Sequence, residues 1–409
     1  MNNKTNVIYV AIVAFITVSL SISFFLIPDK VYSENENRTL QTAPEFSFES
    51  LVSGEYTTKL GSYFADQFPF RDGFVASKAY MELLLGKREN NDVIYGLDDT
   101  LIPSPEIKEN RMEDNLKAIS FLADNISSKV TVVPLPRPID VFSERLPKTY
   151  PKEQQLALWD ELNTSAKSLG LDVADCYGIL CDNNTYYRTD HHYTTTGAYY
   201  VYKSLAEKLG YTPFAEDYFK KETVSNSFCG TSMRTSGFYL TKKDTIQLYR
   251  YEGDEDYNII ADGKKIALYD MTKLKTADKY AVFLGGNHGR VDITKSGDNR
   301  PKLLIVRDSY ADSLVPFLAL HYDITLIDLR YYTDSVANIV REEGIDNTLI
   351  LESVSEISSS RNLSYLRMDK RLLYEKIMYI TMRIVIYMCF DFLFPKRVCL
   401  RYRFGKRYR

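Results

Sequence analysis

The chain has 409 residues, 45% hydrophobic and 26% charged, with a net charge of -3. That length and balance suit one large domain or two ordinary ones with a real core. The near-neutral charge gives no electrostatic case for nucleic-acid binding.

Residues 1–28 carry one early charge, Lys4, and then run apolar from Val7 to Ile27. A run of about 20 such residues spans a bilayer. The following Phe24-Phe25-Leu26-Ile27-Pro28 offers no small-residue cleavage site, which favours an uncleaved signal anchor over a removed signal peptide. Lys4 ahead of the run predicts a cytoplasmic N-terminus and an extracytoplasmic body, a single-pass protein of the cell membrane.

Residues 29–110 read as a polar linker followed by a helical region. Helical spacing runs from Leu51 to Leu60, breaks at Pro69, resumes from Phe74 to Leu85 and stops at Gly86. Val93-Ile-Tyr95 and Leu101-Ile102 read as short strands around an Asp98-Asp-Thr100 turn.

From 111 to 368 strands alternate with helices, the pattern of an α/β layer with parallel strands. Met112 to Ala123 and Gln154 to Leu169 are helical, and Lys129–Val133 is a buried strand before Pro134. Leu171-Asp-Val173 is a short strand, and a helix follows Gly197 to Leu209 with Thr194 or Thr195 as its cap. Residues 220–280 look different, rich in Ser, Thr and Gly, and read as a β-rich insertion or small subregion covering the site. Lys302–Val306, Ile324–Ile327 and Thr348–Leu351 are further strands, with a helix near Ser335 to Glu342.

The segment 369–409 is apolar and then strongly basic. A second span, a basic helix lying on the membrane surface and an aberrant end all fit it. Among five cysteines, Cys176 and Cys181 flank a short loop and are candidates for pairing. Tyrosine is abundant, with 32 residues. Its flat face and hydroxyl suit sugar binding, though the ordinary role of so many is half-buried packing.

Three of the four histidines fall in two motifs. Asp190 and His192 are two apart, so an extended segment projects them to one side, where a carboxylate can orient an imidazole base. His191 projects the other way. Alone, this pattern more often marks a histidine satisfied in the core. The hydroxyl partner is Ser309, at the junction between strand 302–306 and a helix expected near Ala311, where backbone N–H groups can hold an oxyanion. A plain cap at that junction is the competing reading. Gly286 and Asn287 form a glycine loop whose amide can donate to an oxyanion. A metal set of Asp190, His191, His192 and His288 is the rival, but adjacent histidines rarely ligate one ion and no H-x3-H spacing supports it. No metal and no cofactor is expected.

Together these residues resemble the bacterial DHHW protein family. Thr189-Asp-His-His-Tyr-Thr-Thr-Thr-Gly-Ala198 is similar to its signature, with Tyr193 in place of the tryptophan. Glu36-Asn-Arg38, Asp66-Gln-Phe-Pro-Phe-Arg71, Phe283-Leu-Gly-Gly-Asn-His288, Asp308-Ser-Tyr310 and Asp328-Leu-Arg-Tyr-Tyr332 resemble further family blocks. The family is in turn similar to SGNH-hydrolase-like O-acetyltransferases of alginate and other exopolysaccharides. The resemblance implies a three-layer α/β/α fold over 111–368 and an extracytoplasmic, membrane-tethered enzyme. Its chemistry would move acetyl groups onto or off a polysaccharide, often beside a multi-pass membrane acyltransferase. It assigns Ser309 as nucleophile, His192 as base and Asp190 as orienter, Gly286 and Asn287 to the oxyanion loop, and Tyr193 to a flanking packing or sugar-stacking role. The rival from another class is a non-catalytic polysaccharide-binding or scaffold protein.

Overall fold

Four segments of the chain are apolar on both faces. Lys129–Leu135 (β1), Lys302–Arg307 (β8), Asp323–Ile327 (β9) and Asn347–Ser353 (β10) bury every residue but the first. A strand can do that only at the centre of a sheet covered on both sides. In the computed structural model they form the middle of an eight-stranded sheet. Asp172–Val173 (β2) lies at one edge, and Tyr257–Ala261 (β5), Lys264–Ile266 (β6) and Arg290–Lys295 (β7) complete the other, in the order β6-β5-β7-β9-β8-β10-β1-β2. The structure describes residues 3–33, 35, 38–104, 109–150, 153–182, 185–297 and 299–368. The expectations for the basic tail therefore lie outside the described residues.

The run from β9 to β2 is parallel, with Val306 opposite Ile327, Arg307 opposite Leu351 and Leu351 opposite Val133. The β5, β6 and β7 strands add to it antiparallel. The sheet is thus mostly parallel with an antiparallel extension. The expected 220–280 subregion divides in two. Lys220–Phe228 (β3) and Asp244–Arg250 (β4) make a separate hairpin, while β5 and β6 join the main sheet. Strand β7 alternates buried Val291 and Ile293 with Arg290 and Asp292, a half-buried pattern too short to stand out in the sequence.

Alternate residues of the central strands feed two cores. Val132, Leu304, Val306 and Ile350 pack under helices Met112–Asn125 (α2), Glu153–Ser168 (α3) and Val336–Glu343 (α5). Val133, Leu135, Leu303, Ile305, Leu349 and Leu351 face helix Thr195–Leu209 (α4), the β3–β4 hairpin and most of the buried tyrosines. These make the three layers. Twelve of the described tyrosines are buried, and several of these donate their hydroxyls to backbone carbonyls: Tyr186 to Pro136 at 2.7 Å, Tyr251 to Pro316 at 2.9 Å, Tyr257 to Ala319 at 2.9 Å and Tyr322 to Leu209 at 2.6 Å. Each ring supplies apolar bulk, and each hydroxyl gives a buried backbone carbonyl a partner.

The helix Asn3–Leu26 (α1) precedes this body, and its segment Thr5–Leu26 is long and apolar enough to cross a membrane. The helical region after it breaks earlier than spacing suggests, into Phe48–Val52 and Glu55–Asp66, because Gly54 between them takes φ of 80°. Cys176 and Cys181 are not joined by a disulfide. The Cys176 thiol is buried 3.2 Å from Ser204 Oγ, which suits a packed, inert cysteine.

Leu304 is fully buried in the sheet centre. Leu304→Ala is expected to lower the unfolding free energy by about 2–5 kcal/mol, read from urea denaturation of the detergent-solubilised chain.

Candidate functional site

Strands β8, β10 and β1 run parallel, so their carboxyl ends meet at one edge of the sheet, where α/β proteins carry their ligands. Asp308 comes directly after β8 and caps the turn that leaves it. Its Oδ1 accepts the Tyr310 N–H at 3.0 Å, and its Oδ2 accepts the Ser353 N–H at 2.8 Å, tying β8 to β10. Burial raises the Asp308 carboxyl above the usual carboxylate range against those two donors. Ser309 then opens a 3-10 turn, Ser309–Ser313, rather than the α-helix expected there. Pro316 near the start of the next short helix, Val315–Leu318, has no N–H to carry one helix through.

The second segment comes from the loop before α4. His192 Nδ1 lies 2.6 Å from Asp190 Oδ1, and His192 Nε2 lies 2.7 Å from Ser309 Oγ. Asp190 and His192 are almost wholly buried, whereas Ser309 is half-buried and reachable. The structure thus brings together the three residues that the sequence singled out, 117 positions apart between His192 and Ser309.

Asp190 is saturated. Its Oδ1 also accepts the His192 N–H at 3.0 Å, and its Oδ2 accepts the Thr231 N–H at 2.7 Å. Burial alone would raise its pKa. The imidazoles of His191 and His192 and these hydrogen bonds outweigh it and hold the carboxyl well below the usual range. The segment ahead is pinned by Asp244, which accepts N–H bonds from Arg188 and Thr189 and the Thr189 hydroxyl. Gly230 lets the 230–231 backbone come this close, since a Cβ there would stand 2.3 Å from Asp190 Cβ and 2.5 Å from Thr189 O.

Two tyrosines lock the halves together. Tyr193 donates to Tyr310 O at 2.6 Å, and Tyr310 donates back to His191 O. Tyr193 is fully buried, which fits the packing role of the two that the resemblance implied and not sugar stacking. Its role is to hold the turn that carries Ser309. A tryptophan at this position would also bring one donor. Tyr280 was not legible as a site residue. Its ring stacks on His192 with centroids 3.9 Å apart and planes 8° apart, and its hydroxyl donates to Ser309 O at 3.2 Å.

The glycine loop sits differently from the relay. Gly286 adopts φ of 113°, and Asn287 is exposed, its Oδ1 3.5 Å from Arg330 Nη2. Arg330 is itself held by Asp328, with Nη2 to Oδ2 at 2.6 Å. No hydrogen bond joins Gly286 or Asn287 to Ser309 among the described residues. His288 lies 3.3 Å from Asp262 and 3.1 Å from Leu284 O, apart from Asp190, His191 and His192, which alone among the described residues group at metal-ligand spacing. Both His192 nitrogens and both Asp190 oxygens already have partners, so the group is built as a hydrogen-bond relay rather than a vacant chelate. His191 is half-buried, and burial, then the neighbouring His192 charge, push it below the ordinary histidine range.

A cleft of about 380 Å³ opens beside the relay, reached by His191 and Tyr310. Ser104, Thr231, Ser232, Thr235, Ser353 and Ser355 are among its lining residues.

Gly230→Ala is expected to push the Thr231 N–H off Asp190 and lower turnover by about 10²-fold, the scale of a 1 Å misplacement. The check is steady-state kinetics on a chain whose far-UV circular dichroism is unchanged. Tyr193→Phe removes the hydroxyl bond to the Tyr310 carbonyl and is expected to cost about 0.5–1.5 kcal/mol of stability in chemical denaturation.

The comparisons with known proteins fit this architecture. A family model described as "SGNH hydrolase-like domain, acetyltransferase AlgX" matches residues 96–238. A DHHW family protein from Eubacterium siraeum superposes with a TM-score of 0.57 at 21% identity, covering 68% of this chain and 96% of its own. Bacillus cereus PatB1, solved with a sulfonyl adduct, gives a TM-score of 0.57 at 17% identity over 68% of this chain and 99% of its own. At these identities the likeness carries the fold, an SGNH-like α/β sheet. No curated protein sequence matches the chain. The DHHW protein model matches residues 36–129 and 171–327, more than half of the sequence, and the chain belongs to the DHHW protein family.

Proposed function

We propose that the chain is an O-acetyltransferase or acetylesterase of a cell-envelope or exported polysaccharide, tethered by α1 with its body outside the cytoplasm. What carries the reading is the relay itself. A reachable serine hydroxyl at 2.7 Å from an imidazole, whose other nitrogen is 2.6 Å from a saturated carboxylate, has the geometry of an activated nucleophile.

In the proposed reaction Ser309 Oγ attacks the acetyl carbonyl and His192 Nε2 takes the serine proton. Asp190 holds Nδ1–H and offsets the imidazolium charge. The tetrahedral intermediate collapses, the donor oxygen leaves with the proton from His192, and an acetyl-serine remains. An acceptor hydroxyl then enters, gives its proton to His192 and attacks the same carbonyl, releasing Ser309 as the acetyl ester forms. Water in place of the sugar gives acetate. Electrostatic support for the oxyanion falls to the Ser309 N–H and to Asn287 in the loop that Gly286 opens. The Arg330 contact to Asn287 Oδ1 leaves the amide nitrogen to face away from Arg330. His192 cannot tilt freely, since Tyr280 covers one face of its ring.

The hydroxyl-lined cleft supports a carbohydrate acceptor, because side-chain hydroxyls both donate to and accept from sugar hydroxyls. The AlgX acetyltransferase model overlaps the Asp190–His192 segment and adds the acetyl group to the reading. A multi-pass membrane acyltransferase is the proposed source of that group.

Ser309→Ala is expected to reduce hydrolysis of an aryl acetate on the order of 10⁴-fold, with a comparable loss for His192→Ala because the two act as a unit. A sulfonyl fluoride should add once per chain, at Ser309, by intact-protein and peptide mass spectrometry. Wild-type turnover by Ser309→Ala rejects Ser309 as the nucleophile and sinks the proposal, and no turnover by the native chain leaves a non-catalytic binding role.

A further inference from the structure

Residues 46–85 expose apolar side chains at a density that the rest of the body does not share. The helices Phe48–Val52 and Glu55–Asp66 bury no residue, and Arg71–Leu84 buries only Ala79. Phe48 is 76% exposed, Val52 72%, Phe64 50%, Phe70 67% and Leu84 83%. Single exposed apolar residues are ordinary, but a grouped set marks a surface that something covers. Helices of about 12–15 residues or fewer are marginal in water, and these gain little from packing on the body.

Their position relative to the anchor is set by contacts. Phe24, in the last turn of α1, has its ring 5.6 Å from Tyr63 and 5.3 Å from Phe64. Gln67 clamps the exit of the anchor, accepting the Lys30 N–H at 2.9 Å and donating to Lys30 O at 2.9 Å. Tyr63 donates to Asp29 at 3.2 Å. A recess of about 660 Å³ lies at this exit, its lining mixing Ile27, Leu40, Phe68 and Phe70 with Lys30 and Arg71. The exposed aromatics therefore stand at the level where the chain leaves its apolar span.

We propose that residues 46–85 form a collar seated in the headgroup layer of the bilayer that α1 crosses, its covering surface being lipid. The proposal rests on reading α1 as a membrane anchor. The three helices carry Lys59, Arg71 and Lys78 against Glu49, Glu55, Asp66, Asp72 and Glu82, so anionic lipid does not drive the contact. Buried apolar area does, as for amphipathic helices lying in an interface. The collar also connects to the site. Tyr80 of the last helix packs edge-on to Phe238, and Asn91 and Asp92 just beyond it line the cleft beside His191. Seating the collar fixes the height of that cleft above the membrane, close to where a membrane-embedded donor would deliver an acyl group.

The test uses the full chain in vesicles of zwitterionic phosphatidylcholine with brominated acyl chains. Trp159 is buried in the body and serves as the unquenched reference. Phe70→Trp and Val52→Trp add emission at exposed collar positions, and Phe15→Trp reports on the anchor. The expected result is loss of most of the added emission at all three positions, with that of Trp159 unchanged. Quenching at Phe15→Trp without quenching at Phe70→Trp and Val52→Trp overturns the collar and points to a protein cover, whether a partner or another segment of this chain. No quenching at Phe15→Trp overturns the anchor reading, and the collar with it.

Discussion

The site depends on holding two distant segments to hydrogen-bond precision. His192 and Ser309 belong to segments far apart in sequence, and a drift of about 1 Å would break the 2.7 Å hydrogen bond between them. Three constraints meet there. Asp308 caps the turn and ties β8 to β10. Tyr193 and Tyr310 exchange hydrogen bonds across the gap. Tyr280 presses on the His192 ring. Each is buried, where a hydrogen bond meets no competition from water and an unpaired group would be costly.

The same demand for satisfied partners explains the tyrosines. On the face of the sheet that carries α4, they fill the core while their hydroxyls pair the backbone carbonyls of Pro136, Leu209, Pro316 and Ala319. Irregular backbone around a site leaves carbonyls without ladder partners, and a long side chain with a terminal donor reaches them. Part of the tyrosine content that looked suited to sugar binding is this packing. Small hydroxyl-bearing residues, Thr231, Ser232 and Thr235 among them, line the cleft instead.

Much of the site was legible in sequence because its chemistry is local at each end. Asp190 and His192 are two apart, and Ser309 directly follows the acidic cap of a buried strand, so residue type and spacing marked both halves. For Tyr193 the sequence left packing and sugar stacking open, because its neighbours in the chain do not show that its ring is buried. Gly230, Thr231 and Tyr280 carried no signal at all. They act by backbone approach and ring stacking, which depend on where the 220–280 stretch passes over the 190 loop.

By itself the sequence marked the apolar N-terminal run, the central strands, and Asp190, His192 and Ser309 as residues that belong together. An apolar run encodes its own burial, and periodicity encodes its own element. Only the tertiary structure decided that β5, β6 and β7 extend the sheet antiparallel, that Tyr193 turns inward, and that the Thr231 N–H completes the Asp190 cage. Those outcomes rest on contacts between segments distant in the chain, and no local pattern records which segments folding will bring together.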